Sequence, residues 1–361
     1  MFQEIETKMR KLLASGWIWI LILGVSPLRA NDNQKIQLEL VKELAIDSVG
    51  IKWSPQGNYF FTSSYQDEIN YVTALKVYSY HDLSLVNTLE TEMMAGDIVD
   101  IQWSPDGNKI GIADYYAAQV KFMDIYSSSS EVAPLADLQG NLLDFEWSSS
   151  NIISIVLQTG PDQTHIVHYD MAPGENPTLL HSTYINSSNK DNKFQAIVWN
   201  PNGNLFATVS SFGDISVWSV ENFEEVILLP SNSNILDYVT TDTVKPVWTH
   251  DSNSIIGISR SFSEGYKIWQ WYLDEEVKPP FSDFLHTPAQ FEVSYDDQYF
   301  LFREMFGDIL IGTVETKEII LNLSETLSNA EIAVSWHPTE NILAVNDGET
   351  LTFYKIIQVD S

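Results

Sequence analysis

The chain contains no cysteine. That excludes disulfides, thiolate catalysis and a lipid-anchored cysteine, so an exported form would have to hold itself together by its core alone. Positive charge is scarce. Nineteen Lys and Arg stand against 49 Asp and Glu, for a formal charge of −30. Phosphate recognition needs a basic footprint, so nucleic acid is not an expected partner. Arginine occurs only as Arg10, Arg29, Arg260 and Arg303. Several catalytic spacings are also missing. The nearest stretch to G-x-S-x-G, "GISRS" at 257–261, lacks the final glycine. There is no H-E-x-x-H, no P-loop and no G-x-G-x-x-G. No D-x-D-x-D-G loop marks a calcium site. No metal and no cofactor is therefore expected.

The N-terminus is where apolar residues run together. Lys8, Arg10 and Lys11 precede an uncharged stretch from Leu12 to Val25, followed by "SPLRA" and polar "NDNQK". A basic region, a short apolar core and a small residue at Ala30 form a secretory signal pattern. The core is shorter than the ~20 residues of a membrane span. Residues 1–30 are thus expected to be a signal segment and 31–361 the folded domain, periplasmic or secreted. A membrane association would follow only if the leader stays uncut. Cleavage after Ala30 would remove four cationic and two acidic side chains, leaving a formal charge of −32 and only Arg260 and Arg303 as arginines.

What is present in abundance is repetition. "VGIKWSPQGN", "VDIQWSPDGN", "LDFEWSSSN", "QAIVWNPNGN", "VKPVWTHDSN" and "IAVSWHPTEN" centre on Trp53, Trp103, Trp147, Trp199, Trp248 and Trp336. A degenerate copy, "FEVSYDDQ", places Val293 at the tryptophan position. A period in the forties with strand patterning signals an array of identical supersecondary units. Each unit begins with an apolar strand and a Ser-Pro-x-Gly type turn, in which Pro pre-sets φ and Gly relieves the last position. Further strands follow, such as "NKIGIAD", "QVKFMDI" and "EEVILLP". A lone four-stranded meander cannot bury its apolar faces, but seven packed radially can. The fold expected is all-β: a seven-bladed β-propeller of four-stranded antiparallel blades. The last unit lacks a fourth strand, and "KIQLELVKEL" (35–44) lies ahead of the first anchor. This N-terminal strand is expected to complete the last blade and close the ring.

The "WSPDG" turns, the period and "FGDISVWSVENFEEV" (212–226) resemble WD40-repeat β-propellers across 31–361. The resemblance implies a scaffold whose turns between second and third strands face a partner. No blade carries that family's Gly-His pair, and its Trp-Asp ending survives only as Trp218-Ser219 or Met123-Asp124. The turns are also similar to those of TolB-like periplasmic propellers, which implies an envelope component as a further reading.

Candidate site residues follow from this layout. Tyr65, Tyr71, Tyr115, Tyr116, Phe212, Phe262 and Phe306 fall in turns between second and third strands, and aromatics clustered on one rim suit an interaction surface. The competing reading packs each ring against the next blade. Arg260 and Arg303 end the second strands of consecutive units, where guanidinium groups could grip a carboxylate or phosphate; local ion pairing is the alternative. Glu221, Glu224 and Glu225 form an acidic turn on the opposite face, either a solvated rim or a surface for a basic partner. Links 182–193 and 230–245 are long, and "SSSSE" (127–131) reads as a turn. His165 and His168 alternate across a strand, so they cannot share a metal, and one is expected at the surface. His250 and His337 sit in first turns. The function expected is a monomeric, non-catalytic propeller binding a protein or peptide through one rim. The alternative is an extracytoplasmic hydrolase, lyase or lactonase using central-channel carboxylates, with Asp97, Asp100, Asp144 and Glu331 as contributors.

Overall fold

The computed structural model describes residues 36–358 except 47, 66–71, 95–97, 128–129, 133–134, 136–137, 162, 173–176, 187–193, 211–214, 230–244, 262–264, 275–282, 285–287, 305–307, 317 and 324–332. The chain forms seven four-stranded antiparallel sheets. An opening strand, β1 (Ile36–Ala45), precedes blade 1, which is β2 (Val49–Trp53), β3 (Tyr59–Tyr65), β4 (Val72–Ser79) and β5 (Leu85–Met94). Blade 2 is β6 (Ile98–Trp103), β7 (Lys109–Asp114), β8 (Gln119–Asp124) and β9 (Ser130–Val132). Blade 3 is β10 (Asn141–Trp147), β11 (Ile152–Gly160), β12 (Gln163–Asp170) and β13 (Thr178–Asn186). Blade 4 is β14 (Phe194–Trp199), β15 (Leu205–Ser210), β16 (Ile215–Ser219) and β17 (Glu225–Leu229). Blade 5 is β18 (Val247–Trp248), β19 (Ser254–Ser261), β20 (Gly265–Tyr272) and β21 (Asp283–Phe284). Blade 6 is β22 (Pro288–Val293), β23 (Tyr299–Glu304), β24 (Ile309–Thr313) and β25 (Ile319–Asn322). Blade 7 holds β26 (Ala333–Trp336), β27 (Ile342–Asn346) and β28 (Thr350–Gln358).

The missing fourth strand of blade 7 is β1, as the sequence implies. It pairs antiparallel with β28, from Ile36 opposite Gln358 to Ala45 opposite Thr350, with one register shift between Leu40 and Lys42. Ile36 and Leu38 are buried with Leu301, Ile311, Trp336 and Ile356, so closure is apolar as well as hydrogen-bonded.

The core is divided among the seams between blades. Among the described residues seven buried clusters occur, each combining residues of two neighbouring blades. At one seam, Ile256, Ile258 and Ile268 of blade 5 meet Phe291, Phe300 and Phe302 of blade 6. The middle strands are covered on both faces, which is why "IISIVL" in β11 is buried throughout. First strands touch first strands of neighbouring blades and so form the inner ring. The recurring tryptophans serve this ring. The Trp103 indole donates to the Lys52 carbonyl (3.1 Å) and the Trp248 indole to the Val198 carbonyl (3.2 Å), each reaching the preceding blade.

The first turns repeat one geometry. The amides of Gly57, Gly107 and Gly203 donate to the carbonyls of Ser54, Ser104 and Asn200, and all three glycines have φ near +70°. Asn151, Ser252 and Asp297 take the same left-handed place in blades 3, 5 and 6, types that tolerate it less readily than glycine. Two boundaries differ from expectation. β9 begins at Ser130, inside the stretch read as a turn, and β13 runs on to Asn186, into the stretch read as a link. Backbone pairing with β8 and β12 overrides the polar composition there.

Candidate functional site

The inner strands carry two sets of side chains that the repeat makes equivalent. Three residues before each anchor stand Gly50, Asp100, Asp144, Ala196, Lys245, Gln290 and Ala333. One residue before stand Lys52, Gln102, Glu146, Val198, Val247, Glu292 and Ser335. The position between them points the other way, placing Ile101, Phe145, Ile197, Phe291 and Val334 in the seams. At the other two offsets, blade 4 places Ala196 and Val198 in the seam with blade 5, while blades 1, 2, 3, 5 and 6 supply polar side chains.

Lys245 is the centre of the axial set. Its Nζ lies 2.5 Å from Asp144 Oδ1, 2.9 Å from Asp100 Oδ2 and 3.6 Å from Glu146 Oε2. Lys245 precedes β18 in blade 5, whereas its partners stand on blades 2 and 3. The side chain therefore reaches over blade 4, where the equivalent residue is the small Ala196, and ties opposite sides of the ring. Lys52 adds a second cation, 3.4 Å from Asp100 and bonded to the Ile101 carbonyl at 2.7 Å. Gln102 Nε2 donates to both Asp100 (2.7 Å) and Glu146 (3.2 Å). Two carboxylates also tie blade to blade. Asp144 accepts from the Ile197 amide (2.7 Å), and Glu292 from the Trp336 amide (2.8 Å) and the Ser335 hydroxyl (3.1 Å).

The cluster is enclosed by protein but not dry. Side-chain exposure is 31% for Lys245, 21% for Glu146, 18% for Asp100 and 2% for Asp144. Burial opposes ionisation of Asp100, but Lys245, Lys52 and Gln102 outweigh it and hold its carboxyl far below the usual range. At Asp144 burial wins over Lys245, and Asp100 adds repulsion, so its pKa is raised. Burial, with Asp100 and Asp144 nearby, pushes Glu146 up to about 7 despite Lys245. Burial also raises Glu292. For Lys245 burial is overcome by the three carboxylates, and its ammonium stays charged well beyond the ordinary range. One carboxyl of the cluster therefore titrates near neutrality. Among the described residues no group of three or more His, Asp or Glu is placed to hold a metal ion.

The rim residues named from the sequence are distributed as follows. Tyr116 is 72% exposed in the turn between β7 and β8. It stands edge-on to Tyr115, with centroids 4.8 Å apart, and the Asn141 amide donates to the Tyr115 hydroxyl (3.0 Å). Arg303 is half-buried at the end of β23. Its Nε is buried without a hydrogen-bond partner, and burial holds its pKa down. No hydrogen bond, ion pair or ring contact among the described residues links Arg303 with Tyr115 or Tyr116. Tyr65 and Arg260 are described in backbone only, as strand ends paired with Thr73 and Tyr266. Tyr71, Phe212, Phe262 and Phe306 lie outside the described residues, as do Asp97 and Glu331.

The histidines differ from expectation. Both His165 and His168 are buried. The exposed side that the alternation leaves to His165 is covered by Tyr184 of β13, stacked on it at 3.9 Å. His168 meets the Ser154 hydroxyl at 2.8 Å, and burial, then His181, hold it down to about 3. His250 joins Asp297 of the next blade (2.9 Å), and His337 joins the Gly57 carbonyl (3.1 Å). Asp100 and Asp144 were legible as axial carboxylates. Lys52, Glu146, Lys245 and Glu292 were missed, although their fixed offsets from the anchors were the available signal.

No family model matches the chain, and no curated protein matches it. Solved structures do match, 1670 chains in all, so the likeness identifies an architecture shared by many proteins. One is the crystal structure of the β-propeller domain of Cps50 (Swd1) from Myceliophteria thermophila, a WD40 propeller. It is 13% identical, with a TM-score of 0.62, and the match covers 88% of this chain and 99% of that one. At that identity the likeness establishes a WD40-like seven-bladed fold.

Proposed function

We propose that the protein is an exported, non-catalytic propeller scaffold that captures a protein or peptide partner on the face built from the turns between second and third strands. The observation that carries this reading is the Tyr115–Tyr116 pair. One ring is tied down by Asn141 and the other stands 72% exposed against it. A preorganised exposed aromatic offers contact area at small entropic cost. The half-buried Arg303 at the end of β23, whose Nε has no hydrogen-bond partner, would add recognition of an acidic group. The axial carboxylates support a scaffold as well, since Lys245, Lys52 and backbone amides already engage them. Export rests on the leader pattern of residues 1–30.

The test is affinity capture with chain 31–361 from an extracytoplasmic extract, comparing wild type with Tyr115→Ser/Tyr116→Ser and with Arg260→Gln/Arg303→Gln. Loss of one retained protein in either variant, at unchanged melting temperature, supports the reading; identical retention by all three overturns it.

A channel enzyme is the second reading, favoured by one feature. Glu146, pushed up to about 7 beside Asp144 and Lys245, has the proton affinity of a general acid or base. Turnover of an ester or lactone panel that disappears in Glu146→Gln would establish it.

A further inference from the structure

Outer strands of a propeller leave one edge unpaired, and most of those here are blunted. β9, β17, β21 and β25 are five residues or shorter. β1 carries Glu39, Lys42 and Glu43, and β5 carries Glu90 and Glu92. Short length and charge are the usual protections against strand addition. β13 has neither. Its nine residues, "TLLHSTYIN", include no Asp, Glu, Lys, Arg or Pro, and among the described residues it pairs only with β12. A bulge at Leu180, between the Tyr169–Leu179 and His168–His181 pairs, leaves His181–Asn186 as a regular open edge. Leu179 and Tyr184 are 54% and 56% exposed.

Beside this edge, between blades 3 and 4, lies a cleft lined by His168, His181, Thr183, Phe206, Trp218 and Phe223 among others. Its free volume is about 10 Å³, room for a single water, so the two blades already fill this seam. Phe223 stacks on His181, with centroids 4.5 Å apart and planes within 5°. This stack brings the turn of blade 4 against β13, and with it the exposed carboxylates of Glu221, Glu224 and Glu225.

We propose that the blade 3–blade 4 seam is a docking site for an extended segment of a protein partner, apolar at alternate positions and ending in lysine or arginine. The open edge of His181–Asn186 calls for another strand, because only a strand satisfies its free amides and carbonyls in register. Exposed Leu179, Leu180 and Tyr184 give the apolar side chains of that strand a surface to lie against. The carboxylates at 221–225 select its cationic end, which antiparallel addition places at the C-terminus of the segment. A second copy of this chain is a poorer occupant, since bodies of formal charge −30 repel. The site lies on the flank of the ring and does not depend on the rim proposed above.

The test uses two labelled ten-residue peptides of alternating valine and threonine, one ending in two lysines and the other in two glutamates. Anisotropy titrations with chain 31–361 at low salt are expected to show the lysine peptide binding at least about tenfold tighter. Amide exchange at 181–186 should slow when it binds. Ser182→Lys, at an exposed position of the edge, should lose at least about tenfold in affinity at unchanged melting temperature. Glu221→Gln/Glu224→Gln/Glu225→Gln should erase the difference between peptides. Equal affinity for the two peptides, no binding of either at about 1 mM, or unaltered exchange at 181–186 would overturn the proposal. So would a dimer of the chain dissolved by Ser182→Lys, which would make a second copy the occupant.

Discussion

Lys245 and Asp144, 101 positions apart in the chain, meet at 2.5 Å on the propeller axis. This contact joins blade 5 to blade 3 without passing through any seam, and Asp100 extends it to blade 2. Replacing Lys245 by methionine keeps the stem and removes the charge. Three carboxylates then face one another with only Lys52 nearby. Breaking a buried pair by deleting one partner costs about 3–5 kcal/mol. Since Lys245 retains 31% exposure, the expected loss falls below that range, at about 2–3 kcal/mol. Urea denaturation at neutral pH would measure it. Adding Asp144→Asn should recover part of the loss, because the repulsion it relieves is what Lys245 opposes. A Lys245→Met variant within about 0.5 kcal/mol of wild type would mean that the contact is not a structural tie.

The pH dependence follows from Glu146. Its carboxyl has a folded pKa of about 7 against an ordinary value of 4.5. The folded state therefore binds the proton more tightly than the unfolded state does. That contribution is complete below the ordinary value and is lost as pH rises through about 7. Asp144 and Glu292, also raised, act in the same sense. Asp100, lowered, acts in the opposite sense, but its contribution is complete above the ordinary aspartate range. Stability should thus fall from mildly acidic to mildly alkaline pH, by up to about 3 kcal/mol from Glu146 alone. Glu146→Gln should flatten the profile and raise the melting temperature on the alkaline side. A wild-type profile that is level between about pH 5 and pH 8 would rule this out.

These two predictions concern side chains whose legibility in the sequence was uneven, for a physical reason. The seven anchors and the Ser-Pro-x-Gly turns are local signals, because a turn must place its own φ-permissive residue and a strand must alternate its own apolar residues. They were enough to count blades and to assign residues 35–44 to the last one. Asp100 and Asp144 were legible because the repeat sets them shortly ahead of the anchor tryptophans, on the first strands. Lys245 could not be tied to them from spacing alone, since its partners are set by the diameter of the closed ring. The burial of His165 depends likewise on Tyr184, a residue in the stretch read as a link until pairing with β12 placed it in β13.

Gly57 tests how tightly the first turns are packed around the ring. Its φ is +72°, and a Cβ there would lie 2.1 Å from Cε1 of His337 and 2.3 Å from Nε2. Gly57→Ala therefore meets both left-handed strain and a ring that is itself bonded to the Gly57 carbonyl. An expected loss of about 2–4 kcal/mol combines the backbone strain with displacement of a packed side chain. Gly348 has φ +90° but nothing within 4 Å of its Cβ position. Gly348→Ala should show the strain alone, at about 1–2 kcal/mol. Equal losses in the two variants would indicate that the His337 contact carries no weight.

Ring closure is the remaining point at which the fold can be opened selectively. β1 contributes backbone pairing to β28 along its length and places Ile36 and Leu38 in the blade 6–blade 7 core. Leu38→Ala should cost about 2–3 kcal/mol, the lower part of the range for buried leucine because the site lies towards the sheet edge. Deleting residues 31–45 should do more. It uncovers the outer edge of β28 and the apolar face of the last seam, and the chain should then melt earlier and associate through that edge. A synthetic peptide spanning 35–45 should restore the melting temperature in a concentration-dependent manner, since it binds only the folded ring. A truncated chain that melts like the parent, with no response to the peptide, would show that the strand decorates the last blade without closing it.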